Sequence, residues 1–216
     1  MLFSSLDSVR DRWNVLRHPF YVRWSRGELT SEELAFYAGE YRHAVVALAE
    51  ATARASRSAD EPALREQLER HADEERAHVQ LWDDFAAGVG AEHPGREPLD
   101  ETRECIEAWT AGGEVEEGLV ILYAVESAQP AISATKLAGL VAHHDFVPGE
   151  AASAYFELHS ELDDEHAAQS RAALERRARP ERSERLVALA EHALRTNWRL
   201  LDGVERRFGR DPGDGL

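Results

Sequence analysis

Three short runs of this 216-residue chain carry side chains whose types and spacing suit metal chemistry. In the first, His159, Asp163 and His166 stand at i, i+4 and i+7, so a helix through them presents all three on one face. Imidazole nitrogen with carboxylate oxygen, and no thiolate, is the donor set of redox-active iron or manganese, or of zinc. The second run is His71-Ala-Asp-Glu-Glu-Arg-Ala-His78, where Glu74 and His78 are again i and i+4. Glu75 competes with Glu74, because Glu-x-x-His spacing also sets a carboxylate beside an imidazole, as in carboxylate-bridged di-iron bundles. The third is Glu126, preceded by the apolar run Leu119 to Val125 on every helical face and so expected to be buried. A buried carboxylate must be protonated, paired or bound to a cation, since burying it alone costs several kcal/mol.

Each run also has a plainer account. The first has the spacing of any solvated, charged helix face, and Arg70 and Arg76 could pair with either glutamate of the second. Taken together, Glu74, His78, Glu126, His159, Asp163 and His166 give three carboxylates and three imidazoles from three helices. Six ligands suit two metals better than one, and zinc hydrolysis needs fewer. The expected cofactors are therefore two non-heme ions, Fe/Fe or Mn/Fe, with dioxygen as co-substrate and an external reductant.

Lys136 stands out by composition, being the one lysine among 25 basic residues. Lysine and arginine exchange freely on surfaces unless the chemistry needs an amine that can deprotonate. Glu126, Gln129, Ser133, Lys136 and Leu140 recur at intervals of 3 and 4, which sets the lysine on the stripe that begins at the glutamate.

The elements that must hold these residues read as helices throughout, with no two-residue alternation to suggest strands. Residues 5–26 form one helix or two, interrupted at His18-Pro19. Thr30-Ser31-Glu32-Glu33 is a capping box opening a helix to about Ser58, and Pro62 opens the next, to about Gly88. After a loop at 91–99, a short helix covers 100–111. A long apolar helix covers 114–142 with a kink at Pro130. Helices at 149–178 and 180–208 follow, and 209–216 has the composition of a disordered tail. The expectation is an all-α, single-domain bundle of about seven helices over 1–208.

Composition narrows the function classes. A formal net charge of −16 repels phosphate backbones and anionic headgroups, arguing against nucleic-acid and membrane-surface partners. The single cysteine, Cys105, cannot form an intrachain disulfide, no secretory leader is apparent at residues 1–20, and no apolar stretch reaches the ~20 residues of a membrane span. The chain reads as cytoplasmic. A homodimer is neither required nor excluded by the acidic surface.

At this point a resemblance enters. The chain resembles the heme-oxygenase-like di-metal oxidases of the TenA/PqqC-like superfamily, in particular the group of the chlamydial protein associating with death domains, self-sacrificing 4-aminobenzoate synthases. The likeness covers roughly residues 10–175. The segments that carry it are His18-Pro-Phe-Tyr21 through Thr30, Asp73 through Trp82, Tyr123-Ala-Val-Glu126-Ser-Ala-Gln-Pro130, and Tyr155 through His166. The resemblance implies a heme-oxygenase-like fold, Tyr21 as the sacrificed aromatic, Lys136 as the amino donor and Tyr155 as a radical tyrosine. Val125 stands where that group has a tyrosine, and Glu40-Tyr-Arg-His43 lacks its tyrosine pair. Cys105, between Glu104 and Glu107, is a poor nucleophile and argues against thiamin hydrolysis. Two other readings stand beside the leading one: a di-iron oxidase acting on a small amine, amino acid or fatty acid, and a non-catalytic regulatory or binding protein with structural histidines.

Overall fold

The computed structural model describes residues 2–91 and 96–210, apart from the side chains of 161–164. Its α-helices are α1 (Leu2–Arg12), α2 (Pro19–Ser25), α3 (Ser31–Ser58), α4 (Pro62–Gly88), α5 (Asp100–Trp109), α6 (Val115–Glu126), α7 (Gln129–His143), α8 (Ala154–Arg177) and α9 (Ser183–Arg207). Single 3₁₀ turns at Val15–Arg17 and Pro180–Arg182 lead into α2 and α9. Among the described residues there is no strand, and no helix is long and apolar enough to cross a membrane.

Among the described residues seven expected segments become nine helices: the first ends at Arg12 and restarts at Pro19, and the fifth breaks ahead of Pro130. His18 turns extended ahead of Pro19 and caps α2, its Nδ1 accepting the Phe20 amide at 3.0 Å. Pro130 cannot donate to the carbonyl of Glu126, four residues back, and its ring crowds that carbonyl. The long apolar helix therefore ends at Glu126 and restarts at Gln129 as α7. The Thr30 capping box forms as expected, with Thr30 Oγ1 accepting from the Glu33 amide at 3.2 Å and Glu33 Oε2 from the Thr30 amide at 2.8 Å.

α6 is buried along nearly its whole length and packs against α3, α8 and α9. α4 lies along α3 and also meets α8, while α2 lies on α7. Three fully buried tryptophans knit these layers, each indole N–H reaching a carbonyl: Trp24 to Lys136 at 3.0 Å, Trp82 to Ala38 at 2.8 Å and Trp109 to Ala193 at 3.1 Å. At the chain's end Arg210 reaches Glu33 at 3.1 Å, so residue 210 is tied to α3, and 211–216 lie outside the described residues.

Candidate metal centre

α4 and α8 run antiparallel, so that His71 meets His166 and His78 meets His159. The ring centroids are 3.9 Å apart in the first pair and 4.6 Å in the second. Glu75 lies between the pairs. His71, Glu75 and His166 bring one ligand atom each within 4.8 Å of one another, and Glu75, His78 and His159 do the same. Two groups that can each hold a metal ion thus share one carboxylate. Glu126, at the last residue of α6, closes the first group from below, with Oε1 3.0 Å from His71 Nε2.

Of the two competing glutamates, this geometry brings Glu75 to the histidines. Glu75 is 1 % exposed and in phase with His71 and His78, whereas Glu74, one residue and about 100° away, points to the rim with its side chain 55 % exposed. Glu74 touches the centre only through His166, its Oε2 lying 2.9 Å from Nε2. His78, Glu126, His159 and His166 are all buried at the centre, and the Asp163 side chain lies outside the described residues. Sequence reasoning missed His71. The signal was present: His71-x₃-Glu75-x₂-His78 repeats the spacing of His159-x₃-Asp163-x₂-His166, and two such helices laid antiparallel match ligand to ligand.

The electrostatics are those of a cation site. Burial by itself would lower the pKa of His71, but Glu126 and Glu75 outweigh it and raise it to about 10. Burial likewise favours a neutral Glu75, yet His71 and His78 beside it, with His159 nearby, hold its carboxyl well below the usual carboxylate range. Without metal, a protonated His71 is thus the cation that compensates two buried carboxylates. His159 is different, because burial lowers its pKa to about 4. Its neutral ring donates from Nδ1 to the Tyr155 carbonyl at 2.7 Å, which turns the Nε2 lone pair to the centre. That Nε2 and Glu126 Oε2 are buried with no hydrogen-bond partner, while His71 Nε2 faces Glu126 Oε1 at 3.0 Å and His78 Nδ1 faces Glu75 at 3.3 Å. Such orphaned donors and acceptors are costly in a folded chain, and the oxygen-and-imidazole set fits first-row divalent ions.

Beside the centre a second group of buried side chains forms a closed aromatic chamber filled by the Lys136 amine. Lys136 is fully buried on α7, its Nζ without a hydrogen-bond partner and ringed by aromatic faces. The ring centroids lie 4.4 Å away for Tyr41, 5.3 Å for Trp82, 5.5 Å for Tyr37 and 5.6 Å for Tyr21. Tyr21 and Tyr37 share a hydrogen bond of 2.9 Å between hydroxyls, and Gln129 donates to the Tyr41 hydroxyl at 3.3 Å. Tyr155 stands between chamber and centre, stacked on His159 at 4.0 Å and edge-on to Trp82 at 4.9 Å. Tyr37, Tyr41 and Trp82 had not been singled out for this role, although their places on α3 and α4 were readable. Cys105 is buried on α5, and burial pushes its thiol well above the ordinary range.

An all-α bundle holding a histidine and carboxylate centre beside a buried amine is the class that fold and site define. The chain belongs to the TENA/THI-4/PQQC family, whose pattern matches residues 6–202. It is 33 % identical over 198 residues to the 4-aminobenzoate synthase of Chlamydia muridarum, covering 87 % of this chain and 84 % of that protein. It is 29 % identical over 227 residues to the 4-aminobenzoate synthase of Nitrosomonas europaea, covering 95 % and 91 %. Among solved structures, a domain of unknown function with a heme-oxygenase-like fold from Shewanella denitrificans superposes with TM-score 0.82 at 23 % identity, over 97 % of this chain and 94 % of that one. A TenA homologue from P. horikoshii gives 0.78 at 18 % identity, over 95 % and 99 %. The fold is thus heme-oxygenase-like, as expected.

Proposed function

We propose that this chain is an oxygen-dependent di-metal oxidase that forms 4-aminobenzoate, with its own Tyr21 as the aromatic source and Lys136 as the amino donor. The observation that carries the reading is Lys136, a fully buried amine with no hydrogen-bond partner, held 5.6 Å from the Tyr21 ring beside a histidine and carboxylate centre. Relatives named 4-aminobenzoate synthase supply the product class.

His71, Glu75, Glu126 and His166 would hold one ion, and Glu75, His78 and His159 the other, with Asp163 from α8 in the proposed ligand set. Bound there, Fe/Fe or Mn/Fe supplies oxidising equivalents drawn from dioxygen and an external reductant. The protein's own groups do the rest. Burial lowers the Lys136 pKa to about 7, so that near neutrality a large share of the side chain is the neutral, nucleophilic amine that nitrogen transfer requires. Burial raises the Tyr21 pKa well above its ordinary value, so Tyr21 stays a phenol and can exchange its proton with Tyr37 across their hydrogen bond. Aromatic walls exclude water from the amine. Tyr155, stacked on the His159 ring, is the aromatic that couples the centre to the chamber.

The solitary lysine makes the test unusually direct. Chain produced with lysine labelled by ¹⁵N at Nζ carries the label at one position, Lys136. After iron or iron with manganese, reductant and oxygen are added, 4-aminobenzoate should carry one ¹⁵N, and the protein should lose the ring at Tyr21 and the labelled nitrogen at Lys136. Unlabelled product would sink the amine-donor role. Absence of product, with the protein mass unchanged and oxygen still consumed, would favour a small-molecule oxidase.

A further inference from the structure

Between α4 and α8 a pit of about 250 Å³ opens from the surface toward the metal centre. Its floor is made by His71 and His166, both buried. His71 is 4 % exposed, and its Nε2 lies 3.0 Å from Glu126 Oε1, on the side of the metal centre. The rim carries the exposed carboxylates Glu74 and Glu165, and Gln67 donates to Gln169 at 2.9 Å to tie the two helices at one side. Arg70, among the described residues the one cation on the rim apart from the histidines, pairs with Glu66 at 3.1 Å.

Glu74 joins the two levels. More than half of its side chain faces water, yet its Oε2 lies 2.9 Å from Nε2 of His166 on the floor. Glu75 and Glu126 are each 1 % exposed, as resting ligands in a closed site would be, and neither group of mutually close ligand atoms contains Glu74. We propose that this pit is the port by which a divalent cation enters the His71, Glu75 and His166 group, and that Glu74 is the ion's first protein ligand on that route. This rests on the di-metal reading above.

The physical steps need no redox change. A net charge of −16 concentrates cations around the chain, and an exposed carboxylate exchanges readily with the waters of a hydrated divalent ion. Glu74 then gives up its contact with His166, and the ion trades its remaining waters for the floor imidazoles and Glu75. Of the two glutamates that spacing leaves equivalent, Glu75 is then the resting ligand and Glu74 the transient one.

Stopped-flow uptake of Co²⁺ by the metal-free full chain, followed by its visible absorbance, tests the route, with bound metal measured by mass spectrometry after equilibration. The variants are Glu74→Gln and Glu69→Gln, the latter an exposed acid on α4 that does not line the pit. Glu74→Gln should slow uptake by about tenfold or more while reaching the wild-type metal content, and Glu69→Gln should load at the wild-type rate, because local charge steers cation entry. Uptake by Glu74→Gln within about twofold of wild type would overturn the port alone, as would equal slowing in Glu69→Gln, the signature of long-range charge. Loss of a metal ion at equilibrium in Glu74→Gln would also overturn it, by making Glu74 a resting ligand. Failure of the wild-type chain to take up cobalt would overturn the di-metal reading first, and the port with it.

Discussion

The two neighbouring glutamates of α4 separate cleanly at the scale of single residues. Glu75→Ala removes the carboxylate common to both ligand groups, so bound metal should fall by at least half, whereas Glu74→Ala should keep nearly its full content at equilibrium. Metal analysis of the two proteins side by side checks this, and equal losses would return Glu74 to the ligand set. Lys136 gives a prediction with a definite sign. Its folded pKa is lowered by burial to about 7 from an ordinary 10.5, so between those values the unfolded chain holds a proton that the folded chain does not. This group therefore adds up to about 1.4 kcal/mol of stability per pH unit above about 7 in the metal-free protein, against the opposite slope of His71, whose pKa is raised to about 10, so stability should fall more steeply with pH in Lys136→Met than in the wild type. Urea midpoints for both proteins between pH 7 and 8.5 measure it, and parallel slopes would mean that Lys136 stays charged inside the fold.

At the scale of elements, the contact of α2 with α7 sets the distance between Tyr21 and Lys136. Gly139 allows that approach. A methyl group there would meet the Trp24 ring at 2.5 Å and its backbone carbonyl at 3.2 Å. Gly139→Ala should cost about 1–3 kcal/mol by overpacking and loosen the bond from the Trp24 indole to the Lys136 carbonyl, with a red shift in tryptophan emission. An unchanged spectrum and stability would show that the two helices are free to separate. The capping box is a simpler case. Thr30→Ala should cost about 1 kcal/mol, while loss of Glu33 should cost more, because that carboxylate also pairs with Arg23 and Arg210 and so ties α2 and the chain end to α3.

The whole molecule should register metal as folding energy. Ligand atoms drawn from α4, α6 and α8 meet only in the native state, so ions bind the folded chain and hardly the unfolded one. At a concentration of 100 times Kd a single site adds about 2.7 kcal/mol, which in a domain of this size raises Tm by about 5–10 °C. Differential scanning fluorimetry across a titration of Mn²⁺ or Fe²⁺ should show a Tm that climbs with metal in the wild type and barely moves in Glu75→Ala. A chelator should reverse the gain. A Tm that is flat in metal for the wild type would place the histidines in a structural role.

Local chemistry already settled part of this in the sequence: the capping box at Thr30 and the helix restarts at Pro19 and Pro130 rest on neighbours within about one helical turn, the spacing of His159 and His166 puts both on one face of α8, and the solitude of Lys136 is a count over the whole chain. Two things were beyond its reach. Spacing along a helix says which residues share a face but not which way that face turns, so Glu74 and Glu75 were equivalent until α4 packed against α8 and rotated Glu75 and His71 inward. Nor does a stripe on α7 say what it meets. The box of Tyr21, Tyr37, Tyr41 and Trp82 around the Lys136 amine comes from α2, α3 and α4, three consecutive helices far from α7 in the chain. Burial of that amine, and with it the lowered pKa on which the proposed nitrogen donation depends, is a property of their packing and of no single segment.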